Sequence, residues 1–324
     1  MEDKQREQLG GNPDWMSRLP EELLDVPLWN LALPGSHDSM SFSLDVSSPV
    51  VRSESCFLRL TDRLFPCCTR PCVYRWATTQ LSVLSDQCDL GVRFLDLRIA
   101  RKPAGSSKLF FAHGIYTLIT VKEALDELAG WLDAHPKEIV IIACSHFESL
   151  SDEDHAHLME FILLLFRGKL CPPQETPTLR SCWSKGQQVI VSYDDQELQH
   201  PGLWNRIPYW YANSPDPKKV ITYLEGQQRQ GRPDGFYVTG LNLTETMFYV
   251  FLHPFQSMRM LTLNSLSLLL QWAGEQQPGP EGVNIMCCDF VGMSEFCSLV
   301  VELNYKLVGR GCRKLPASSK ISAS

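Results

Sequence analysis

Histidines and carboxylates follow several apolar segments of this 324-residue chain, at positions where β-strands are predicted to end. The residues concerned are His37, Asp38, His113 and Asp289. A histidine, with a pKa of about 6.5, can take a proton from a hydroxyl group at neutral pH, and a carboxylate on its other ring nitrogen fixes the tautomer. These residue types in these places suit general acid/base catalysis.

The segment "RFLDLRIA" (93–100) adds an acid and an arginine. In a strand, its two-residue period places Phe94, Asp96 and Arg98 on one face and the aliphatic Leu95, Leu97 and Ile99 on the other. A guanidinium group matches two phosphate oxygens and the charge that grows on them in a transition state. The combination favours phosphoryl transfer, although an ion pair between Asp96 and Arg98 and structural histidines remain an alternative at this point.

An alternation of predicted strands and helices must position these residues. Apolar, β-branched segments predict strands at 29–35, 93–100, 109–113, 138–145, 187–193, 235–241 and 283–290. Helical periodicity predicts helices at 120–135, 151–169, 216–230, 261–275 and 292–309, and Thr120 with Glu123 forms a capping box for the first of them. Strands that alternate with helices indicate a parallel sheet, either doubly wound or closed into a barrel.

The absence of nucleotide-binding motifs favours the barrel. No G-x-G-x-x-G follows the first predicted strand, and G-x-x-x-x-G-K-[ST] does not occur in the sequence. Active sites of (β/α) barrels lie at the carboxyl ends of the strands, where the candidate residues would meet. We expect one barrel over residues 21–312, between polar tails at 1–20 and 313–324.

Composition and charge exclude several classes of function. The net charge is −7, from 30 basic and 37 acidic side chains, which argues against nucleic acid and against bulk attraction to anionic lipid. No apolar stretch reaches the roughly 18 residues that a membrane span needs, and the first 20 residues lack a signal peptide. The 12 cysteines do not follow zinc spacing. Without a secretory signal we expect reduced thiols in the cytosol or nucleus, and we predict a cytoplasmic protein that is peripheral at membranes.

Four segments together carry a resemblance to a known family. "LALPGSHDSM", "DLGVRFLDLRIA", "FAHGIYT" and "EIVIIACSHFE" resemble the X-box of phosphatidylinositol-specific phospholipases C. The likeness is greatest to the small animal proteins that contain an X domain without accessory domains. It covers about residues 25–205, and later motifs such as "NIMCCDF" extend it almost to the end of the chain. The resemblance implies an irregular TIM barrel.

The resemblance also implies a role for each candidate. His37 is similar to the general base that deprotonates the inositol 2-hydroxyl, and Asp289 to the carboxylate that orients it. Arg98 resembles the phosphate clamp, and His113 with Asp38 the general-acid pair. The implied reaction cleaves phosphatidylinositol to diacylglycerol and inositol cyclic phosphate, which can be hydrolysed further.

The pair Asp96 and Arg98 bears on the cofactor. In the calcium-dependent eukaryotic enzymes the matching segment supplies two carboxylates to the metal, whereas here the second position is Arg98, as in the bacterial metal-independent enzymes. A guanidinium group at this position repels a divalent cation and takes over its charge. We therefore expect no metal and no other cofactor.

The expected partners are the phosphatidylinositol headgroup and, transiently, a membrane surface. The aromatic residues Tyr209, Trp210 and Tyr211 are candidates for stacking on the inositol ring. Cys144 follows the "EIVII" strand, where bacterial relatives carry a lysine that contacts the inositol, so it is a further candidate contact. Segment 57–76 mixes arginines with apolar residues and three cysteines, which fits either a packed crossover or a membrane contact at the cytoplasmic face, with Cys67 and Cys68 as candidate palmitoylation sites.

Two other functions fit parts of the same pattern. One is a catalytically weak module that binds a lipid headgroup or a protein on the same barrel. The other is a metal-dependent phosphodiesterase of the glycerophosphodiester kind, whose chemistry needs several acids around a cation. Arg98 argues against the second, and retention of His37 and His113 argues against the first.

Overall fold

A computed structural model describes residues 11–103, 108–195, 198–253 and 255–309. Its strands are β1 Leu33–Ser36, β2 Phe94–Arg101, β3 Leu109–His113, β4 Ile115–Thr120, β5 Val140–Glu148, β6 Val189–Tyr193, β7 Tyr209–Trp210, β8 Val238–Gly240 and β9 Ile285–Cys288. Its α-helices are α1 Cys56–Leu64, α2 Pro66–Ala77, α3 Leu84–Leu90, α4 Val121–Ala134, α5 Asp152–Leu165, α6 Leu179–Lys185, α7 Pro217–Gln230, α8 Met247–Leu252, α9 Met258–Glu275 and α10 Phe296–Leu303.

The strands form an irregular TIM barrel, as the sequence predicts. Parallel pairing runs through β6, β5, β2, β1, β9, β8 and β7 in that order. Between the two ends of this path, in the described residues, Trp204 forms a single parallel bridge to Ser192 of β6. The sheet therefore curls into a barrel with a loosely joined seam, and the carboxyl ends of its strands meet at one mouth.

Strands β3 and β4 depart from the barrel pattern. The segment 109–113 was predicted as one of the alternating strands, but β3 pairs antiparallel with the last residues of β2 and β4 pairs antiparallel with β3. This hairpin extends one wall of the barrel beyond its mouth. It brings His113, the last residue of β3, back toward the site.

Two apolar layers confirm the alternation predicted for β2. Phe94 lies in the cluster inside the barrel, whereas Leu95, Leu97 and Ile99 lie in the cluster between the barrel and its helices. Gly35 of β1 faces the interior, where an added Cβ atom would lie 3.1–3.3 Å from Phe94, Ile285 and Cys287. The Pro34–Gly35 pair therefore continues the strand rather than ending it, and the glycine permits close packing.

The five predicted helices correspond to α4, α5, α7, α9 and α10, whereas helical periodicity did not predict α1, α2, α3, α6 or α8. Helix α4 begins with the predicted capping box, since the Thr120 side chain accepts from the backbone N–H of Glu123, and the Glu123 carboxylate accepts from that of Thr120. Helix α5 has the same arrangement with Ser151 and Asp154. No helix in the described parts of the chain is both long and apolar enough to traverse a bilayer.

The predicted N-terminal tail ends earlier than residue 20. Trp15 and Met16 are buried, and the backbone N–H groups of Met16 and Ser17 lie 3.3 and 3.2 Å from the carboxylate of Glu138. Glu138 also pairs with the fully buried Arg93 at 2.6 Å. Residues 11–20 thus fold over the floor of the barrel because this ion pair and two apolar side chains hold them, whereas 1–10 and 313–324 lie outside the described residues.

The buried ion pair generates a stability prediction. Glu138→Ala leaves the guanidinium group of Arg93 buried without its counter-ion, so we expect the free energy of unfolding to fall by about 3–5 kcal/mol. Urea denaturation followed by circular dichroism measures this loss. Asp126→Ala breaks an ion pair with Lys122 at the surface and should leave the midpoint nearly unchanged. Equal midpoints for the two variants would contradict the prediction.

Candidate active site

The predicted catalytic residues lie together at the mouth of the barrel. Four of them, His37, Asp96, Arg98 and His113, border a cavity of about 340 Å³, within the range of small-molecule sites, and the buried Asp38 and Asp289 contact His37 from behind. Its lining includes residues from the ends of β1, β2, β3, β5, β6 and β7 and from the segment after β8: His37, Asp96, Arg98, His113, Ser145, His146, Asp194, Tyr209, Tyr211, Asn242 and Glu245. The convergence expected from parallel strands has therefore brought these side chains to one place.

His37 is held between β1 and β9. Its Nδ1 lies 2.8 Å from Oδ1 of Asp289. Its backbone carbonyl accepts hydrogen bonds from the hydroxyl of Thr79 and the amide of Gln80, both at 3.1 Å. The amide of Gln80 also donates to the carbonyl of Cys288, at 3.0 Å. The turn after α2 thus ties the ends of both strands together and fixes the imidazole, a role that no sequence motif signalled.

Arg98 reaches three of the other polar groups. Its Nη2 lies 2.8 Å from Nε2 of His37 and 3.5 Å from Oδ2 of Asp96. Its Nε lies 2.7 Å from Oδ1 of Asp38, as an ion pair rather than an aligned hydrogen bond. Because guanidinium only donates, Nε2 of His37 accepts in this arrangement and Nδ1 carries the proton toward Asp289.

Asp38 lies between the two histidines. Its Oδ2 is 3.3 Å from Nε2 of His37 and 3.3 Å from Nε2 of His113, without a well-aligned hydrogen bond to either. Nδ1 of His113 lies 2.7 Å from the carbonyl of Ala77, so this nitrogen is the donor and Nε2 is left facing Asp38. One carboxylate is therefore placed to stabilise a proton on either ring.

The acids change the protonation of His37. Burial lowers the pKa of His37, but attraction to Asp38 and Asp289 and the hydrogen bond to Asp289 outweigh it, so the net pKa is raised. Burial raises the pKa of Asp289, and the charge of His37 only partly opposes this. The two groups therefore share a proton whose position depends on the pair as a whole.

Arg98 and Asp96 are each held in the charged form. Burial alone would raise the pKa of Asp96, yet Arg98 and His37 bring it below its usual range. Burial lowers the pKa of Arg98, and Asp38 with Asp96 more than reverses this, so its pKa is raised. The guanidinium group is thus a permanent cation among buried acids.

The same cluster contains a donor set that could bind a metal ion. Ligand atoms of His37, Asp38 and Asp96 lie within 4.8 Å of one another. Arg98 contacts all three residues at the distances given above and so places a cation next to each donor. A divalent ion here would face this fixed positive charge, which makes the donor set a poor fit for one.

The aromatic candidates separate across their strand. Tyr209 and Tyr211 line the cavity, and the hydroxyl of Tyr209 lies 2.9 Å from the side-chain oxygen of Asn242. Trp210 is buried in the outer core, with its ring 4.7 Å from that of Tyr237. The prediction that Trp210 stacks on the inositol ring is therefore wrong. Side chains alternate across a strand, and three successive residues cannot all face one cavity.

The prediction that the side chain of Cys144 contacts the inositol is also wrong. Its side chain is fully buried in the outer layer, where burial raises the pKa of the thiol to about 12. The next two residues reach the cavity instead, with the hydroxyl of Ser145 at 2.9 Å from Nδ1 of His146 and 3.4 Å from Asp96. His146 has φ +47°, in the left-handed region, so this contact depends on a bend that the strand pattern did not predict.

Comparison with known proteins identifies relatives over most of the chain. The family model described as PI-PLC X 1 matches residues 74–216. PI-PLC X domain-containing protein 1 of Danio rerio is 50% identical over 297 residues, covering 90% of this chain and 96% of the relative. The protein of the same description from Homo sapiens is 46% identical over 302 residues, covering 92% and 94%. The predicted family resemblance is confirmed.

Solved structures show the same fold at low identity. The phosphatidylinositol-specific phospholipase C from Listeria monocytogenes aligns with a TM-score of 0.63 and 17% identity, covering 91% of this chain and 99% of that one. A variant of the phosphatidylinositol-specific phospholipase C from Staphylococcus aureus aligns with a TM-score of 0.64 and 16% identity, covering 91% and 97%. These similarities confirm the barrel.

The contact between His37 and Asp289 predicts a shift in titration. In Asp289→Asn the negative charge is lost, so the pKa of His37 should fall and its neutral form should persist to lower pH. Nuclear magnetic resonance of the imidazole ring, recorded against pH, measures this pKa. Asp195→Asn, whose carboxylate lies 3.8 Å from the distant His155, serves as the control and should leave the His37 curve in place. An unchanged or raised pKa in Asp289→Asn would refute the electrostatic account.

Proposed function

This chain belongs to the family of PI-PLC X domain-containing proteins, and we propose that it is a phosphatidylinositol phosphodiesterase of the phospholipase C type that works without calcium. The observation that carries the proposal is the placement of His37 and His113 on either side of Asp38, with Arg98 beside them. This is a base, an acid and a fixed cation in one cavity, which is what in-line displacement at a phosphodiester requires.

His37 is the general base in this proposal. Its Nε2 accepts the proton of the inositol 2-hydroxyl as that oxygen attacks phosphorus. The imidazolium that forms keeps its Nδ1–H bond to Asp289 and gains attraction to Asp38, 3.3 Å from the newly protonated nitrogen. The neutral ring accepts from Nη2 of Arg98, and the imidazolium has Asp289 and Asp38 as partners, so Nη2 turns from Nε2 to the phosphoryl oxygens as the proton is transferred.

Arg98 neutralises the charge that develops on the phosphoryl oxygens. Asp96 and Asp38 hold its guanidinium group at 3.5 and 2.7 Å, so the group is oriented before substrate arrives. It takes the place of the cation used by metal-dependent phosphodiesterases, and its own positive charge opposes the binding of a second cation here.

His113 is the general acid, which completes the reaction. Protonated at Nε2, it gives this proton to the glycerol oxygen as the bond from that oxygen to phosphorus breaks. Diacylglycerol leaves with the proton, and inositol cyclic phosphate remains. The bond to the carbonyl of Ala77 keeps Nδ1 protonated and Nε2 directed at Asp38 throughout.

The side of the cavity away from His37 and His113 is assigned to the inositol ring. Tyr209 and Tyr211 offer flat apolar surfaces for stacking, and Asn242, Ser145 and His146 offer polar groups for the ring hydroxyls. Burial and the charge of Arg98 lower the pKa of His146, so at neutral pH this imidazole is uncharged and suits a hydroxyl group.

The rim of the mouth is apolar enough to touch a lipid surface. Helix α8 follows the segment that carries Glu245 into the cavity, and it has no buried residue. Phe248 and Phe251 are 71% and 80% exposed, and Phe255 beyond the helix is 90% exposed. We therefore assign the protein a peripheral location at the cytoplasmic face of membranes, with the mouth toward the lipid.

The reaction itself is the principal test. His37→Ala should lower kcat/KM by about 100- to 10,000-fold, because proton transfer loses its base. Purified protein is incubated in chelator with phosphatidylinositol vesicles, and phosphorus NMR follows the products. The wild type should release inositol cyclic phosphate under these conditions. His157→Ala, which changes an exposed histidine on α5, is the matched control and should retain full activity.

Two outcomes would redirect this proposal. Activity that disappears in chelator and returns with added calcium would contradict the role given to Arg98. If neither the wild type nor the control forms product, with calcium and with other phosphoinositides, then vesicle binding without turnover would identify a headgroup-binding module instead.

The apolar rim generates a separate prediction for membrane binding. The double variant Phe248→Ser/Phe251→Ser should bind phosphatidylinositol vesicles at least about tenfold more weakly, since each exposed aromatic side chain contributes about 1.5–3 kcal/mol when fully buried in lipid. Vesicle sedimentation gives the binding constants. Leu164→Ser removes an equally prominent side chain, 67% exposed, from the last turn of α5, at the floor of the barrel. If both variants bind equally well, the rim is not the contact.

A further inference from the structure

Helix α1 turns three of its four large apolar side chains away from the protein, and the fourth, Leu58, packs against a small core cluster. Phe57, Leu60 and Leu64 occur at a spacing of three and four residues, which places them on one face, and they are 65%, 53% and 61% exposed. The residue of this helix that is buried is an acid, Asp62. This is the reverse of a helix that packs on a core, where the apolar stripe faces inward.

Asp62 anchors the helix in this orientation. Its Oδ1 accepts from Nε of Arg70 at 2.7 Å, and its Oδ2 accepts from the backbone N–H of Val50 at 3.2 Å. The acid side of α1 is therefore fixed to the protein by charge-assisted hydrogen bonds. The outward direction of the apolar stripe follows from this anchor and is not a free rotation of the helix.

We call residues 56–68 the α1–α2 corner. Its exposed face combines the apolar stripe and Phe65 with Arg59 and Arg63, while its one acid is the buried Asp62. The whole chain has a net charge of −7, so this cationic, apolar surface is a local exception. Apolar side chains flanked by arginines suit the interface of an anionic membrane, where each cation adds about 1 kcal/mol of attraction.

Cys67 and Cys68 lie at the edge of this surface. Both are exposed in the first turn of α2, directly after the exposed Phe65 and the half-buried Pro66, and their Sγ atoms are 3.9 Å apart. Most of the described cysteines are buried in the core and cannot meet a reagent: Cys88, Cys144, Cys171, Cys182, Cys287, Cys288 and Cys297. The two adjacent thiols are thus the accessible pair that an approaching bilayer would meet together with the apolar stripe.

We propose that Cys67 and Cys68 are sites of S-acylation, by which the α1–α2 corner is anchored in the cytoplasmic leaflet. The membrane contact on which this inference rests is that of the proposed function. In the reaction the thiolate attacks the carbonyl of a fatty acyl-coenzyme A. A Cys–S–acyl bond forms, the acyl–S bond to coenzyme A breaks, and the proton that the cysteine thiol lost passes to the sulfur of coenzyme A, which leaves as the thiol. A membrane acyltransferase supplies the catalysis.

Two adjacent acyl chains suit the weak affinity expected of the unmodified surface. One acyl chain gives only marginal, reversible binding, and stable anchoring takes a second signal. Here two features can serve as the second signal: the neighbouring thiol, and the apolar stripe together with Arg59 and Arg63. Acylation would also set the orientation, because α2 runs from the two cysteines to Ala77, whose carbonyl contacts His113 of the candidate site.

Metabolic labelling tests the proposal on the full chain. The protein is expressed in animal cells that are fed an alkyne analogue of palmitate, and hydroxylamine-sensitive label and the membrane-bound fraction are measured. The wild type should carry label that hydroxylamine removes. Cys67→Ser/Cys68→Ser should lose at least about 90% of it and shift from the membrane to the supernatant, since the remaining surface binds only reversibly.

Matched variants show whether the label depends on these two thiols. Cys56→Ser/Cys72→Ser changes an exposed and a half-exposed cysteine of the same two helices and should keep full label. His37→Ala should also be labelled like the wild type, so that failure of the phosphodiesterase and failure of acylation are distinguished. Label that persists in Cys67→Ser/Cys68→Ser, or the absence of hydroxylamine-sensitive label from the wild type, would overturn the proposal.

Discussion

The arrangement depends on the burial of three carboxylates around one arginine and one histidine. Asp38, Asp96 and Asp289 are 3%, 5% and 1% exposed, and buried acids of like charge are costly unless cations compensate them. Arg98 contacts two of them and His37 the third, so each positive group is held in place by the acids that need it. The geometry of the candidate site is therefore a consequence of charge balance among buried groups, which are oriented before any ligand binds.

The backbone at the mouth is bent to achieve this balance. Asp38, His146 and Phe290 all have φ between +44° and +53°, a region that costs side chains on the order of 1–3 kcal/mol. Thr79 compensates at two of these bends, since its carbonyl accepts from the N–H of Phe290 and its hydroxyl donates to the carbonyl of His37. The turn after α2 thus stabilises strand ends that would not hold this shape alone. This role explains why Thr79 and Gln80 are buried although neither lines the cavity.

Sequence patterns predicted the features that depend on local periodicity. They failed for features that depend on strand pairing or on a bend in the backbone. The two-residue period of β2 and the cap of α4 are local, and both appear as predicted. The antiparallel pairing of β3 depends on a distant partner, and the exposure of Ser145 and His146 depends on one left-handed residue; neither leaves a periodic signal. The prediction for Trp210 failed for a different reason. Three consecutive aromatic residues suggest one surface, but the alternation of side chains along a strand places them on two faces.

Charge also determines which reaction this barrel can perform. A metal-dependent phosphodiesterase places an ion among acids and can exchange or lose it, whereas a guanidinium group is covalently part of β2 and keeps its charge at any physiological pH. The cluster must then supply its own proton acceptor and donor, because a guanidinium group does not activate a bound water as a metal ion does. In the proposed reaction this requirement accounts for the position of Asp38 between two histidines: with a permanent cation fixed beside it, one carboxylate would balance both the proton that His37 takes from the attacking hydroxyl and the proton that His113 gives up.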